Sequence, residues 1–211
     1  MTWLDALAAE PYEQRGILHS EMAFVIHAIK RAGVQFVIES GRHRAQSTVM
    51  LAKYLPEVTI VSIEARDNAD VRYGIERCNA YPNIKLASGS AFDLLPMLAE
   101  SATVPTAILM DGPKGEQACG LLRQCFDSNP QIRLGFIHDM RRLDHGGPSA
   151  HRACAERTFA RNWFSDDPRL VRHLQWLDEK IAHIAPCGSR HEQEYGSYGP
   201  TVGVFYNDTR G

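Results

Sequence analysis

Two acids and one glycine stand where this chain can do chemistry. Glu39 ends the apolar run of Val34, Phe36, Val37 and Ile38, and Gly41 then bends the chain. Ala45 opens a segment whose apolar residues recur at helical spacing up to Pro56. Glu64, twenty-five residues beyond Glu39, ends a second run from Val58 to Ile63. In an open sheet built from alternating strands and helices, ligands sit at the carboxyl ends of the strands. The first strand-to-helix turn presents backbone N–H groups and a helix dipole there. A carboxylate closing the second parallel strand accepts both hydroxyl protons of a ribose. Alone, Glu64 reads equally well as a solvated strand-end acid; paired with the first turn, it points to a nucleoside cofactor.

A basic cluster surrounds the same place. Arg42, His43 and Arg44 lie in the first turn, and His138, Arg141, Arg142 and His145 follow the fifth apolar run. Both sets converge on one rim of the sheet. A carboxylate or phosphate on a substrate finds forked donors there, with His138, Arg141 and Arg142 as the candidate substrate contacts. The competing expectation is that these arginines pair with Glu39, Asp139 or Asp144.

The elements that must position these residues follow from the periodicity. Ser20 precedes and is expected to cap an amphipathic helix over 21–29, which Gly33 stops. Strands are expected at 34–39, 58–63, 84–88, 105–110 and 132–138, and helices at 45–55, 67–80, 91–100 and 116–126. Repeated βα units demand parallel strands joined by right-handed crossovers. Beyond Asp139 the pattern changes to a basic turn and helical stretches near 149–162 and 169–183, with no sixth strand in evidence. Thr201 to Tyr206 reads as a strand that closes the sheet edge in antiparallel sense. The expected fold is α/β, a doubly wound and mostly parallel sheet of seven or six strands with an antiparallel edge strand. A helical cover over 1–33 precedes the sheet.

Bulk properties narrow the classes. The 211 residues, 44% hydrophobic, suffice for one full core, and no tract is rich enough in Pro, Gly or Ser to link two domains. A formal charge of −2 argues against a surface that holds nucleic acid by neutralising phosphates. Five cysteines, an odd number without CxxC spacing, suggest neither a disulfide framework nor a zinc site and fit a reducing cytoplasm. Neither a signal peptide nor a membrane span is expected.

A nicotinamide dinucleotide and S-adenosylmethionine both suit a βα turn with a ribose acid. Dinucleotide sites use G-x-G-x-x-G so that backbone and helix approach the pyrophosphate. Here only Gly41 is present, followed by Arg42, His43, Arg44 and Ala45. S-adenosylmethionine carries no pyrophosphate and needs less backbone access, although the carboxylate of its methionine part needs a donor. Ser47, Gln46 or Arg44 can supply one.

At this point residues 36–140 resemble the catechol and caffeoyl-CoA O-methyltransferase group of class I S-adenosylmethionine-dependent enzymes. That family's first motif is E-x-G-x-x-x-G-x-S, matched by Glu39, Gly41 and Ser47, with Ala45 at the second glycine. Ile63 and Glu64 match the end of its second strand, and Gly89, Ser90, Ala91, Phe92 and Asp93 match a G-x-x-x-D turn over the adenine. Asp111, Gly112, Pro113 and Lys114 match D-x-x-K, and Asp139-Met140 stands where the family has D-N.

The resemblance implies a Rossmann-like fold, S-adenosylmethionine bound by Glu39, Gly41, Ser47, Glu64, Ala91, Phe92 and Asp111, and methylation of a small molecule at oxygen. It implies a magnesium ion on Asp111 and Asp139, with Lys114 as the base. Met140 departs from the pattern, because a thioether is a poor ligand for a hard cation. Flanking carboxylates also raise a lysine further above its ordinary ~10.4, against a role as base. Trp163, Trp176 and Tyr195 are candidates for a substrate wall or for core. Other functions remain open. The same cofactor can react by cyclisation or aminocarboxypropyl transfer, releasing methylthioadenosine. A nicotinamide-dependent oxidoreductase or a non-catalytic binding module is also possible, and so is homodimerisation through the first or the last helices.

Overall fold

The five apolar runs become five parallel strands, and their alternate residues serve opposite faces of one sheet. The computed structural model describes residues 2–144 and 147–207. Helices α1 (Trp3–Leu7) and α2 (His19–Arg31) precede the sheet. Then come β1 (Phe36–Ser40), α3 (Gln46–Tyr54), β2 (Thr59–Glu64), α4 (Ala69–Cys78), β3 (Ile84–Ser88), α5 (Ala91–Glu100), β4 (Thr106–Met110), α6 (Gly115–Ser128) and β5 (Ile132–Ile137). The remainder holds α7 (Ala150–Thr158), β6 (Asn162–Phe164), α8 (Pro168–Leu174), a 3-10 turn (Gln175–Asp178), α9 (Ser189–Tyr195) and β7 (Gly203–Tyr206).

The strand order is β3-β2-β1-β4-β5-β7-β6. Strand β7 joins β5 in antiparallel sense, as expected. A further strand, β6, pairs antiparallel outside it and forms the edge. Three residues are too few to carry a period of two, so β6 is invisible in the sequence. Val37, Ile60, Ala107, Leu109, Leu134 and Phe136 face one apolar cluster, which includes Met22, Ile26 and Ile29 of α2. Ile38, Ile63, Ile108, Met110 and Ile137 face another, with α5, α6 and α7. Burial on both faces is the condition for a parallel sheet.

Two local expectations change. Ser20 does not cap α2. The cap position is Leu18, whose N–H donates to the Glu21 carboxylate at 3.0 Å, while the Ser20 N–H donates to Asp178 at 3.1 Å. The helical stretch near 169–183 ends early, at Leu174, and tightens into the 3-10 turn that delivers buried Asp178 to that contact. A tertiary partner thus overrides the local capping pattern.

Candidate active site

Parallel register sets the site. Ser40 pairs with Ile63 and Met110, and Met110 pairs with Ile137, so the turns after β1, β2, β4 and β5 open at one end of the sheet. A cavity of about 630 Å³ lies there. Gly41, Glu64, Ala91, Phe92, Asp111, Lys114, His138 and Asp139 line it, as the sequence suggested for a site. Arg15 and Gly16 before α2, and Pro186 and Pro200 near the carboxyl terminus, complete the wall.

Gly41 is irreplaceable on two counts. Its φ of +93° is unfavourable for other residues, and an added Cβ would sit 2.9 Å from the Asp111 carbonyl carbon. Ala45, at the family's second glycine, still adopts a left-handed φ of +61°. The close approach has moved to the neighbouring helix. A Cβ on Gly74 of α4 would lie 2.4 Å from the His43 carbonyl oxygen.

Glu64 holds two turns at once. Its Oε2 accepts the His43 N–H at 2.9 Å and its Oε1 accepts the Arg66 N–H at 3.0 Å. A carboxylate offers about four lone-pair sites, so acceptor capacity toward a diol remains. Ala91 begins α5 under the Ser90 cap, and exposed Phe92 offers an apolar ring beside it.

Glu39 and Ser47 do not line this cavity. Glu39 is 1% exposed and accepts from Ser47 Oγ at 2.5 Å, from Ser62 Oγ at 2.6 Å and from Thr48 Oγ1. Burial raises its pKa against the pull of those three hydroxyls. The motif acid ties the start of α3 to β2, which fixes the turn carrying Gly41.

The inner end of the cavity is a closed charge network. Lys114 Nζ bonds Asp111 and lies 2.7 Å from Asp139 Oδ2. His138 Nδ1 is 2.9 Å from Asp111 Oδ1, and its Nε2 is 3.4 Å from Glu21 Oε2. Burial works against charge on His138, but the carboxylates of Asp111 and Glu21 prevail and lift its pKa to about 10. Burial likewise opposes the Asp111 charge, yet His138 and Lys114 bring it down to about 2. Asp139 is lowered against burial by His138 and Lys114, and Lys114 is raised against burial by the two aspartates. The site therefore sets two basic side chains among three acidic ones, and the acids draw both basic groups toward their charged forms.

Glu21 escapes sequence reasoning. Its other oxygen accepts the Thr201 N–H at 2.6 Å, so it joins α2, β5 and the carboxy-terminal segment in one buried contact. An acid within an otherwise apolar helical stretch was the available signal.

The expected metal place is recognisable, since Asp111, His138 and Asp139 bring ligand atoms within 4.8 Å of one another. Its donors do not fit magnesium. Lys114 bridges both carboxylates, His138 offers a ring nitrogen where a hard cation prefers oxygen, and Met140 is fully buried among apolar side chains. The positive charge between the acids belongs to the protein.

The basic cluster mostly neutralises itself. Arg141 pairs with Asp144 at 2.8 Å and lies over the Tyr195 ring, and Arg142 pairs with Asp166 at 3.0 Å. Neither lines the cavity, which corrects their expected place as substrate contacts; of the three, only His138 does. Arg44 binds Glu13 and Asp70, His43 Nε2 is 3.4 Å from Asp70, and buried Arg42 donates to the Ser62 carbonyl. His145 lies outside the described residues. Trp163, Trp176 and Tyr195 are also absent from the cavity wall.

Neither a scan against protein-family models nor a search of curated proteins finds a match to the chain. Solved structures do match. The O-methyltransferase TomG from Streptomyces achromogenes, in complex with S-adenosylmethionine, aligns over 91% of this chain and 82% of its own at 14% identity and a TM-score of 0.60. An O-methyltransferase from Bacillus cereus, in complex with S-adenosylhomocysteine, aligns over 96% and 88% at 18% identity and a TM-score of 0.54. A methyltransferase from Podospora anserina, bound to S-adenosylhomocysteine, aligns over 98% and 85% at 14% identity and a TM-score of 0.56. This chain has the class I methyltransferase fold. At such identities the likeness is one of fold, and the strand order of the methyltransferase sheet places the cavity where that architecture keeps its ligands.

Proposed function

We propose that the protein is an S-adenosylmethionine-dependent methyltransferase acting on an oxygen of a small molecule. The observation that carries this is one cavity with two dissimilar ends. Glu64, Ala91 and Phe92 suit a nucleoside at one, and Asp111, Lys114 and Asp139 suit a polar acceptor at the other. Glu64 accepts from the ribose hydroxyls through its remaining lone pairs, and the Phe92 ring faces the purine.

S-adenosylmethionine, when bound, supplies a methyl group already activated on a sulfonium. A carbon–oxygen bond forms as the carbon–sulfur bond breaks, so the chain's work is alignment. Asp111 and Asp139 raise the Lys114 pKa further above its ordinary value, against a role as the base. Lys114 donates a charge-assisted hydrogen bond to an acceptor oxygen that arrives ionised, a carboxylate or an acidic hydroxyl. His138 holds Asp111, and Asp111 and Asp139 hold Lys114 in place. We infer that no magnesium is needed, because the acids it would use are already paired. All five cysteines are free, which suits a cytoplasmic enzyme, and among the described residues no helix is long and apolar enough to cross a membrane.

The test is titration calorimetry with S-adenosylmethionine, then mass spectrometry of the nucleoside after incubation with an acceptor mixture in magnesium or in chelator. Equal accumulation of S-adenosylhomocysteine in both is the expected outcome. Acceptor-independent methylthioadenosine would mean that a different sulfonium bond is broken, and absence of binding would remove the cofactor. Activity only with magnesium would overturn the metal-free account.

A further inference from the structure

A methionine-derived ligand carries a carboxylate, and the donors expected to receive it are committed elsewhere. Ser47 donates to Glu39. Gln46 accepts the Glu13 N–H at 2.5 Å and donates to the Ile17 carbonyl at 2.8 Å. Arg44 is divided between Glu13 and Asp70, and Arg42 points into the sheet toward Ser62. Yet the first turn has a small recess of about 20 Å³ opening beside the main cavity, with Arg15, Gly16, Gly41, His43 and Asp111 lining both.

Arg15 is a cationic donor at that recess that no described acid or carbonyl engages. Its guanidinium has no partner among the described residues, unlike those of Arg42, Arg44, Arg141 and Arg142. Its position is built. Gln46 stitches the backbone on both sides of it, at Glu13 and Ile17, and Tyr12 Oη donates to the Gly16 carbonyl at 2.9 Å. Arg15 itself sits at φ +69°, a strained conformation for a side chain with a Cβ. Gly16 admits this stitch, because a Cβ there would collide with the Gln46 amide at 2.3 Å.

We propose that Arg15 is the carboxylate-binding residue of the cofactor site, reaching from the loop before α2 over the turn that carries Gly41. The inference rests on the methyltransferase function proposed above and deepens it. It explains how a turn lacking its second glycine, with its serine turned inward, retains a donor for a negatively charged amino-acid tail. A guanidinium offers that tail two parallel hydrogen bonds.

The test compares two nucleosides that differ in that tail, S-adenosylhomocysteine and methylthioadenosine, by calorimetry on the wild type, Arg15→Ala and Arg15→Lys. Arg15 lies on an exposed loop, so folding of the variants is expected and is checked by circular dichroism. Arg15→Ala is expected to weaken S-adenosylhomocysteine about tenfold to a hundredfold, the range of a charge-assisted hydrogen bond. Methylthioadenosine should change less than about twofold, and Arg15→Lys should recover part of the loss. Unchanged S-adenosylhomocysteine affinity in Arg15→Ala, or equal losses for both nucleosides, would overturn the assignment while leaving the enzyme proposal standing. A wild type that binds neither nucleoside would overturn both.

Discussion

The two ends of the cavity are built on different principles. At the end proposed for the nucleoside, shape comes from backbone: Gly41 in a left-handed turn, two N–H groups held by Glu64, and the capped start of α5. The few side chains involved come from consecutive βα units. At the end proposed for the acceptor, shape comes from charge: Glu21, Asp111, Lys114, His138 and Asp139 hold one another, and Glu21 lies 117 residues from His138. A pocket made of backbone tolerates change in side chains and not in φ. A pocket made of balanced charges tolerates isosteric change and not the loss of a partner.

The largest effect on binding expected from this contrast is at Gly41. Alanine there meets both an unfavourable φ and the Asp111 backbone, and should weaken S-adenosylmethionine binding by about a hundredfold. Calorimetry measures it, and an alanine variant of wild-type affinity would break the claim that backbone shapes this end.

Next is Lys114. Lys114→Met should lower turnover by about 10²- to 10³-fold, the usual scale for losing a donor aimed at a reacting oxygen, and leave nucleoside affinity within about threefold. Lys114→Arg should keep more activity than Lys114→Met, since a guanidinium retains the charge and cannot act as base. Arginine and methionine variants equally dead in steady-state kinetics would instead favour proton transfer by Lys114.

The smallest effect is on stability. The folded pKa of His138, about 10, stands above its ordinary ~6.5. Its stabilisation is complete below ~6.5 and is lost as pH rises toward 10. Asp111 has the opposite sign. Its pKa of about 2 makes its contribution full above ~3.9 and lost as pH falls toward 2. Urea midpoints should fall from pH 7 to 10 in the wild type and fall less steeply in His138→Gln. Identical slopes would show that His138 is not charged between its carboxylates.

Most of the fold was legible in the residues, because apolar runs of period two and helical stripes of period 3.6 are local signals. Gly41 and Glu64 were legible for the same reason, each standing beside a strand end, whereas Phe92, Asp111 and Lys114 came from the motifs of the resembling family. The fate of the arginines was not. Nothing near Arg142 in sequence announces Asp166, and nothing near Arg44 announces Glu13. Glu39 shows the limit most directly, since its motif position is as expected while its carboxylate is sealed by three hydroxyls.

The sequence alone therefore determined which residues close the strands, since periodicity and turn chemistry act over a few neighbours. It also put Met140 where the resembling family has an asparagine, and a thioether is a poor ligand for a hard cation wherever it lies. Only the tertiary structure decided which charges meet. Buried ions take the partners that packing brings within hydrogen-bonding distance, and those partners come from segments as far apart as α2 and β5. It left Arg15 without a partner among the described residues beside the first turn, and joined Glu21 to His138 at the cavity.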